Sequence, residues 1–97
     1  MSVTIALEIQ VQPGKADAVK EFLQKNLPDT RAYAGFESLT VHQNQDDPNS
    51  FVIWEQWATR PNYEAYLAWR DETGVLQGFV DMLAGPPSFK FYDFVGA

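Results

Sequence analysis

The architecture of the chain follows from the stretch Gly35-Phe-Glu-Ser-Leu-Thr-Val-His-Gln-Asn-Gln-Asp-Asp-Pro-Asn-Ser-Phe-Val-Ile-Trp-Glu-Gln-Trp57. It predicts two strands joined by a polar turn at residues 45–50, which are of the types that turns favour. The second strand has apolar side chains on both faces, which indicates a strand inside a sheet rather than at its edge. One face of that strand is expected to hold Phe51, Ile53, Glu55 and Trp57, and the other Val52, Trp54 and Gln56.

The first strand of this hairpin also alternates, and it carries the only histidine of the chain, His42. A period of two predicts that Leu39 and Val41 share one face. The other face is expected to hold Phe36, Thr40 and His42.

The residues before the hairpin predict one strand and one helix. Apolar and polar residues alternate from residue 3 to residue 11, which is typical of a half-buried strand. Pro13-Gly14 ends that strand. From Lys15 the apolar residues recur three and four apart, which predicts an amphipathic helix closed near Leu27 by Pro28. The apolar residues of this helix are Ala16, Val19, Phe22, Leu23 and Leu27.

The residues after the hairpin predict a second helical region and a last strand. Thr59 is expected to cap a helix that begins at Arg60-Pro61, because a proline in the first turn loses no hydrogen bond. Gly74 interrupts the helical pattern, and a further helical segment ends before Gly85-Pro86-Pro87. The last strand is expected at residues 88–95, with aromatic side chains on both sides.

The order strand, helix, strand, strand, helix, strand predicts an α+β fold. Right-handed crossovers favour a ferredoxin-like βαββαβ antiparallel sheet with both helices on one face. We expect one domain over residues 1–97. The opposite face is too apolar to remain exposed, so we also expect a homodimer in which two sheets pack together as a dimeric α/β barrel. The apolar residues of that face are Val52, Trp54, Tyr92 and Phe94.

Composition excludes several functional classes. The formal charge of −6 and the pI of about 4.5 argue against a nucleic-acid partner, because an anionic surface repels phosphates. Without cysteine, the chain has no disulfide, thiolate metal ligand or Cys nucleophile. No signal peptide is visible, and no run of about 18 apolar residues indicates a membrane span. A cytoplasmic protein without a membrane partner is expected.

Six segments carry a resemblance to a known family. They are the opening strand that ends in Pro13-Gly14, then Thr30-Arg31-Ala32-Tyr33-Ala34-Gly35, Asp46-Asp47-Pro48-Asn49-Ser50-Phe51, Glu55-Gln56-Trp57, Tyr63-Glu64-Ala65-Tyr66-Leu67 and Gly85-Pro86-Pro87. On these segments the chain resembles the antibiotic biosynthesis monooxygenases, especially the small quinol monooxygenases. The resemblance covers nearly the whole chain and is most specific from residue 35 to residue 66.

This resemblance implies an oxygenase of small aromatic quinols or phenols that uses molecular oxygen and no metal, flavin or haem cofactor. Haem-degrading relatives bind iron through a histidine on the second helical segment, where this chain has none. Fold does not settle activity in this family. The alternatives are therefore an isomerase of a small carbonyl compound and a non-catalytic ligand-binding dimer.

Two residues are candidates for the catalytic proton acceptor. His42 is one, because histidine is the side chain type that ordinarily titrates close to neutral pH, although a lone histidine beside a turn is also typical of a polar edge position. Glu55 lies between Ile53 and Trp57, where burial would raise its pKa toward that of a useful base. The alternative for Glu55 is a structural carboxylate paired with an arginine or tied into the dimer contact.

The substrate is expected between the sheet and the helices. Tyr66 and Arg70 are four residues apart, so they share a helix face and could hold a phenolate or carboxylate. Arg70 could equally pair with a surface acid, namely Asp71, Glu72 or Asp81. The resemblance assigns Trp57 to the pocket and Trp54 to the interface, with core packing as the alternative. The expected pocket walls are Phe22, Trp57, Tyr66, Trp69 and Phe79.

The acidic segment Asp46-Asp47-Pro48-Asn49 is predicted to be a turn. It lacks the spaced ligands and the distal glutamate of a calcium-binding EF-hand loop. No metal site is expected from the sequence.

Overall fold

The computed structural model describes residues 2–96 as a four-stranded antiparallel sheet with three helices. The predicted α+β, ferredoxin-like fold is confirmed, with the second helical region divided in two at Gly74. The elements are β1 (Val3–Gln10), α1 (Ala16–Arg31), β2 (Phe36–Gln43), β3 (Ser50–Trp57), α2 (Arg60–Glu72), α3 (Val75–Val80) and β4 (Ser88–Asp93). Over the described residues, no helix is long and apolar enough to cross a membrane.

The sheet has the strand order β2-β3-β1-β4, so β3 is an inner strand, as its two apolar faces predict. In the β3 register, Glu55 lies opposite Ile5 of β1 on one side and Leu39 of β2 on the other. The buried face of β3 alternates as predicted, with Phe51, Ile53, Glu55 and Trp57 turned inward. Register and alternation together place one carboxylate between apolar strands on the helix side.

The helices cover the inward face through two hydrophobic clusters. The larger cluster joins α1, α3 and the sheet around Val19, Leu23 and Phe79. The smaller cluster joins α2 to the sheet through Val3, Ile5, Trp57 and Tyr63. The site described below lies where the two clusters meet.

Helix α1 runs to Arg31, so the prediction that Pro28 closes it near Leu27 is wrong. A proline removes only its own N–H from the helical ladder. The ladder resumes beyond it, since the Ala32 N–H donates to the Pro28 carbonyl at 3.2 Å. Contacts from α2 to this last turn, described below, hold it against the rest of the fold.

Strand β2 contains a register shift between Phe36 and Ser38, which alternation cannot reveal. Because of this shift, Phe36 packs on the helix side against Trp57, with ring centroids 5.5 Å apart. The prediction that Phe36 shares a face with His42 is therefore wrong. A bulge adds one residue to a strand and changes the face of everything beyond it.

Two strand ends also differ from prediction. Strand β1 ends at Gln10 rather than residue 11, and Val11 makes a separate bridge to Leu83. Strand β4 ends at Asp93 rather than residue 95, because its partner in β1 is Val3, the first residue of that strand. The length of the neighbouring strand, not local pattern, sets both ends.

Gly35 lies where the chain entering β2 approaches the start of α2, and its replacement should lower the stability of the protein. It has φ of 90°, and a Cβ there would lie 2.5 Å from Cγ of Asn62. We expect Gly35→Ala to lower the free energy of unfolding by about 1–2 kcal/mol for the backbone and about 1–3 kcal/mol for the collision. Urea unfolding measures this.

Gly14→Ala is the matched control for Gly35→Ala. Gly14 has a similar φ of 82° but nothing within 4 Å of an added Cβ, so only the backbone cost should appear. Equal losses in the two variants would show that the contact with Asn62 is not tight in solution.

Candidate active site

Glu55 is a buried carboxylate that has no cationic partner among residues 2–96. It is 3% exposed. The ion pairs found within residues 2–96 all lie on the surface and involve other acids. Burial is the largest influence and raises the pKa of Glu55 from 4.5 to about 7. The alternative of pairing with an arginine therefore finds no support within the described residues, and the carboxyl group titrates near neutral pH.

Two side chains donate hydrogen bonds to this carboxyl group. Trp57 Nε1 donates to Oε1 of Glu55 at 3.1 Å, and the Tyr63 hydroxyl donates to Oε2 at 3.3 Å. Both bonds favour the charged form and lower the pKa of Glu55, but by less than burial raises it. Burial and the neighbouring Glu55 in turn raise the pKa of Tyr63 far above its usual range, so Tyr63 remains a protonated donor.

Glu55 lines a cavity of about 70 Å3 between the sheet and the three helices. Most of its wall is apolar, and Glu55 and Arg70 are the two lining residues whose side chains carry full charges. Phe22 and Phe79 are among the apolar walls, as the sequence predicts, with ring centroids 5.8 Å apart. A proton acceptor and a cation thus share one small apolar space.

Arg70 is held at this cavity by oxygen atoms of neutral groups. It is 4% exposed. Its Nε donates to the Tyr66 hydroxyl at 3.0 Å, and its Nη2 donates to the Asn26 carbonyl at 2.7 Å and to Thr30 Oγ1 at 3.0 Å. The Tyr66 and Thr30 hydroxyls are 2.6 Å apart, which closes the network. Of the two alternatives for Arg70, the described residues show the buried position and no pairing with the surface acids.

The two predicted pocket tryptophans lie behind the wall rather than in it. Trp57 is 0% exposed and packs against Tyr66, with ring centroids 5.0 Å apart. Trp69 stacks on Tyr33 at 5.2 Å and supports the Arg70 guanidinium at 4.6 Å. Tyr66 and Trp69 are the two residues of α2 that the sequence predicts as pocket walls, and Tyr66 is the one that lines the cavity.

Comparison with known proteins gives the family. Residues 2–77 match the model of the antibiotic biosynthesis monooxygenases. The chain belongs to this family. Membership agrees with the segments on which the sequence resemblance rests.

Solved structures resemble this family member closely in fold. A candidate antibiotic biosynthesis monooxygenase of Nitrosomonas europaea has 26% identity and a TM-score of 0.79, covering 97% of this chain and 90% of its own. SnoaB of Streptomyces nogalater, a cofactor-independent oxygenase, has 14% identity and a TM-score of 0.85, covering 99% and 95%. A conserved protein of Methanosarcina mazei has 14% identity and a TM-score of 0.85, covering 95% and 91%. The last two likenesses show the fold alone.

A sequence relative of the family member is an uncharacterized protein of Synechocystis sp.. The two sequences are 28% identical over an alignment of 94 positions, which covers 93% of this chain and 61% of the relative. The chain therefore spans about three fifths of the length of the curated relative it matches.

His42 lies on the other face of the sheet in this monooxygenase family member. It is exposed, pairs in register with Val52, and its Nε2 is 2.9 Å from Thr40 Oγ1. It borders an open groove with Gln10 and Ser50 and does not line the cavity of Glu55. The structure thus separates the two predicted proton acceptors, and a catalytic role for His42 stays a prediction.

Sequence reasoning missed three groups of the site. Tyr63 shares a helix face with Tyr66 and Arg70, so spacing could have paired it with the carboxylate on β3. Thr30 had no such signal, because α1 was expected to close near Leu27, and Asn26 contributes a backbone carbonyl that any residue type could supply. Across residues 2–96, no three His, Cys, Asp or Glu side chains lie close enough to share a metal ion.

Proposed function

We propose that this protein is a cofactor-independent monooxygenase of a small aromatic quinol or phenol, with Glu55 as the proton acceptor. The observation that carries the proposal is the burial of Glu55 beside an apolar cavity, with no ion-pair partner for Glu55 among residues 2–96. Its pKa of about 7 supports the role, because a base works best when its pKa lies near the working pH.

The apolar wall supports the first step, which is loss of the phenolic proton. A phenol in the cavity would give its proton to Glu55, and the ring would pack against Tyr66, Phe22 and Phe79. Trp57 and Tyr63 hold the carboxyl group in one orientation through their hydrogen bonds. The anion that forms is more electron-rich than the phenol and reduces oxygen more easily.

The oxidation balances without a further reductant. The anion gives one electron to oxygen, and the resulting radical and superoxide join through a carbon–oxygen bond. The hydroperoxide then loses water, so one oxygen atom stays on the ring and the other leaves as water. Overall, one hydroquinone and one oxygen molecule give one hydroxybenzoquinone and one water. The substrate loses the four electrons that reduce both atoms of the oxygen molecule.

Oxygen uptake tests this function directly. The purified protein with hydroquinone should consume oxygen, and labelled oxygen should appear once in the product and once in water. Turnover that continues without oxygen would overturn the proposal. Exchange of solvent deuterium into a small carbonyl compound without oxygen uptake would favour the isomerase instead.

We also propose that two copies pair through the sheet face that carries no helix. Trp54 and Tyr92 are each 46% exposed there and stack on each other with ring centroids 6.4 Å apart. Stacked aromatic side chains of this size are typical of interface centres. A second copy would remove them from water.

Trp54→Glu should dissociate this dimer, because it places a charge at the centre of the apolar contact. Light scattering should then give the 11.0 kDa mass of one chain instead of twice that mass. Gln24→Glu adds the same charge on exposed α1 and should leave the mass unchanged. A wild-type protein with the mass of one chain at all concentrations would contradict the proposed dimer.

A further inference from the structure

Arg70 is a buried positive charge that no acidic group in the described chain neutralises. At 4% exposure it has lost nearly all its contact with water. Its hydrogen-bond partners are a carbonyl and two hydroxyl groups, none of which is charged. Burying a charge without an opposite charge is costly, and such residues are usually paired. The fold therefore keeps a buried cation that no acidic side chain among residues 2–96 pairs with.

The link between α1 and α2 uses only part of the guanidinium group. Nε and Nη2 form the three hydrogen bonds, while Nη1 forms none with residues 2–96. Nε carries one hydrogen and Nη2 carries two, so the three bonds use all their donors, and the two N–H groups of Nη1 remain to donate to a carboxylate oxygen. Trp69 supports one side of the group, with the guanidinium carbon 4.6 Å from the ring centroid. The cation is thus held rigidly with one nitrogen still available.

Arg70 and Glu55 line the same cavity, and Tyr66 connects them. The Tyr66 hydroxyl accepts from Arg70, while its ring centroid lies 5.0 Å from that of Trp57, one of the two side chains that donate to Glu55. A ligand in this cavity therefore meets a fixed cation and a titrating carboxyl group together.

The size of the cavity limits the ligand. Its volume of about 70 Å3 lies far below the roughly 300–1,000 Å3 of pockets that enclose drug-sized ligands. Phe22 and Leu76 line it and are half-buried, so outward movement of their side chains is the simplest way to admit one aromatic ring. A fused-ring substrate would require the helices to separate.

We propose that Arg70 binds the carboxylate of a single-ring phenolic acid, which names the substrate class of the site. This inference rests on the proposed function, since it assumes that the ligand of the cavity is the substrate. The carboxylate takes the free side of the guanidinium group, and the phenolic hydroxyl reaches Glu55.

Two matched probes test the anion site without turnover. 4-Hydroxybenzoate and 4-hydroxybenzamide have the same ring and hydroxyl group and differ in the charge at the opposite end. Titration calorimetry at pH 6, where Glu55 is mostly protonated, should show the acid binding about 10-fold or more tightly than the amide. Equal affinities for the wild-type protein would overturn the proposal, whatever the variants do.

Arg70→Gln should reduce this preference for the acid to less than about 2-fold, because it removes the charge and keeps donors for the helix link. Arg60→Gln is the matched control, since Arg60 lies on the same helix but is exposed. It should keep the preference. A preference that survives Arg70→Gln, or that Arg60→Gln abolishes equally, would also overturn the proposal.

The anion site and the monooxygenase function can be refuted separately by these measurements. A preference for the acid without oxygen consumption by any phenol would refute the monooxygenase function and leave the anion site standing. Oxygen uptake with equal binding of acid and amide would refute the anion site alone.

Discussion

Glu55→Gln is expected to lower oxygen uptake by about 100-fold or more, the usual contribution of a positioned general base. Glutamine has the shape of the protonated carboxyl group, and its oxygen can accept from Trp57 or Tyr63, but it cannot take a proton. The loss should therefore appear in turnover while the fold is kept. Initial rates of oxygen uptake at saturating hydroquinone, with circular dichroism of both proteins, measure it.

The pH dependence of the wild-type rate supplies a second readout. The rate should rise between pH 5.5 and pH 8 with a midpoint near 7, because Glu55 must be ionised and burial raises its pKa to about 7. Tyr63, which also lines the cavity, has a pKa raised far above its usual range by burial and stays neutral over this interval. Glu64→Gln, an exposed change on α2, should keep both the rate and the midpoint.

Glu55→Gln should raise the stability of the protein at high pH, although it lowers the rate of oxygen uptake. The pKa of Glu55 is higher in the folded state than its ordinary value of 4.5, so folding favours the protonated form. This contribution is complete below about pH 4.5 and is lost as the pH rises through about 7, by roughly 3 kcal/mol. Glu55→Gln should unfold at a higher urea concentration than wild type at pH 8 and at a similar one near pH 4.5.

Oxygen uptake by Glu55→Gln at the wild-type rate would exclude Glu55 as the base.

Alternation in the hairpin is sufficient to predict where Glu55 lies. A period of two allows only two faces, and Ile53 and Trp57 fix which face is buried. The raised pKa follows from that burial, because desolvation is its largest cause. The same reasoning predicts that Trp54 lies on the opposite face, where it is 46% exposed.

The hydrogen-bond partners of Glu55 and Arg70 cannot be predicted from the local sequence pattern. Helix α2 must dock on the sheet before the Tyr63 hydroxyl can reach Glu55, and Gly35 sets that docking through its close approach to Asn62. Thr30 reaches Arg70 only because α1 continues past Pro28. Tertiary contacts decide both points, so sequence spacing alone could not.

Trp57→Ala is expected to remove about 3–5 kcal/mol of stability, the usual cost of truncating a large buried aromatic side chain. Trp57 is fully buried, and four aromatic rings lie with centroids within 6.2 Å of its own, those of Tyr33, Phe36, Tyr63 and Tyr66. Domains of this size have only about 5–15 kcal/mol in total. Urea unfolding should therefore show a protein close to the limit of folding at 37 °C.

Trp57→Phe separates packing from hydrogen bonding. It keeps an aromatic ring, so it should cost less stability than Trp57→Ala, but it removes the Nε1 donor to Oε1 of Glu55. Because that bond lowers the pKa of Glu55, its loss should raise the pKa further and move the midpoint of the rate above pH 7. A midpoint unchanged in Trp57→Phe would mean that the indole does not hold the carboxyl group. The Tyr63 hydroxyl would then be the donor that holds it.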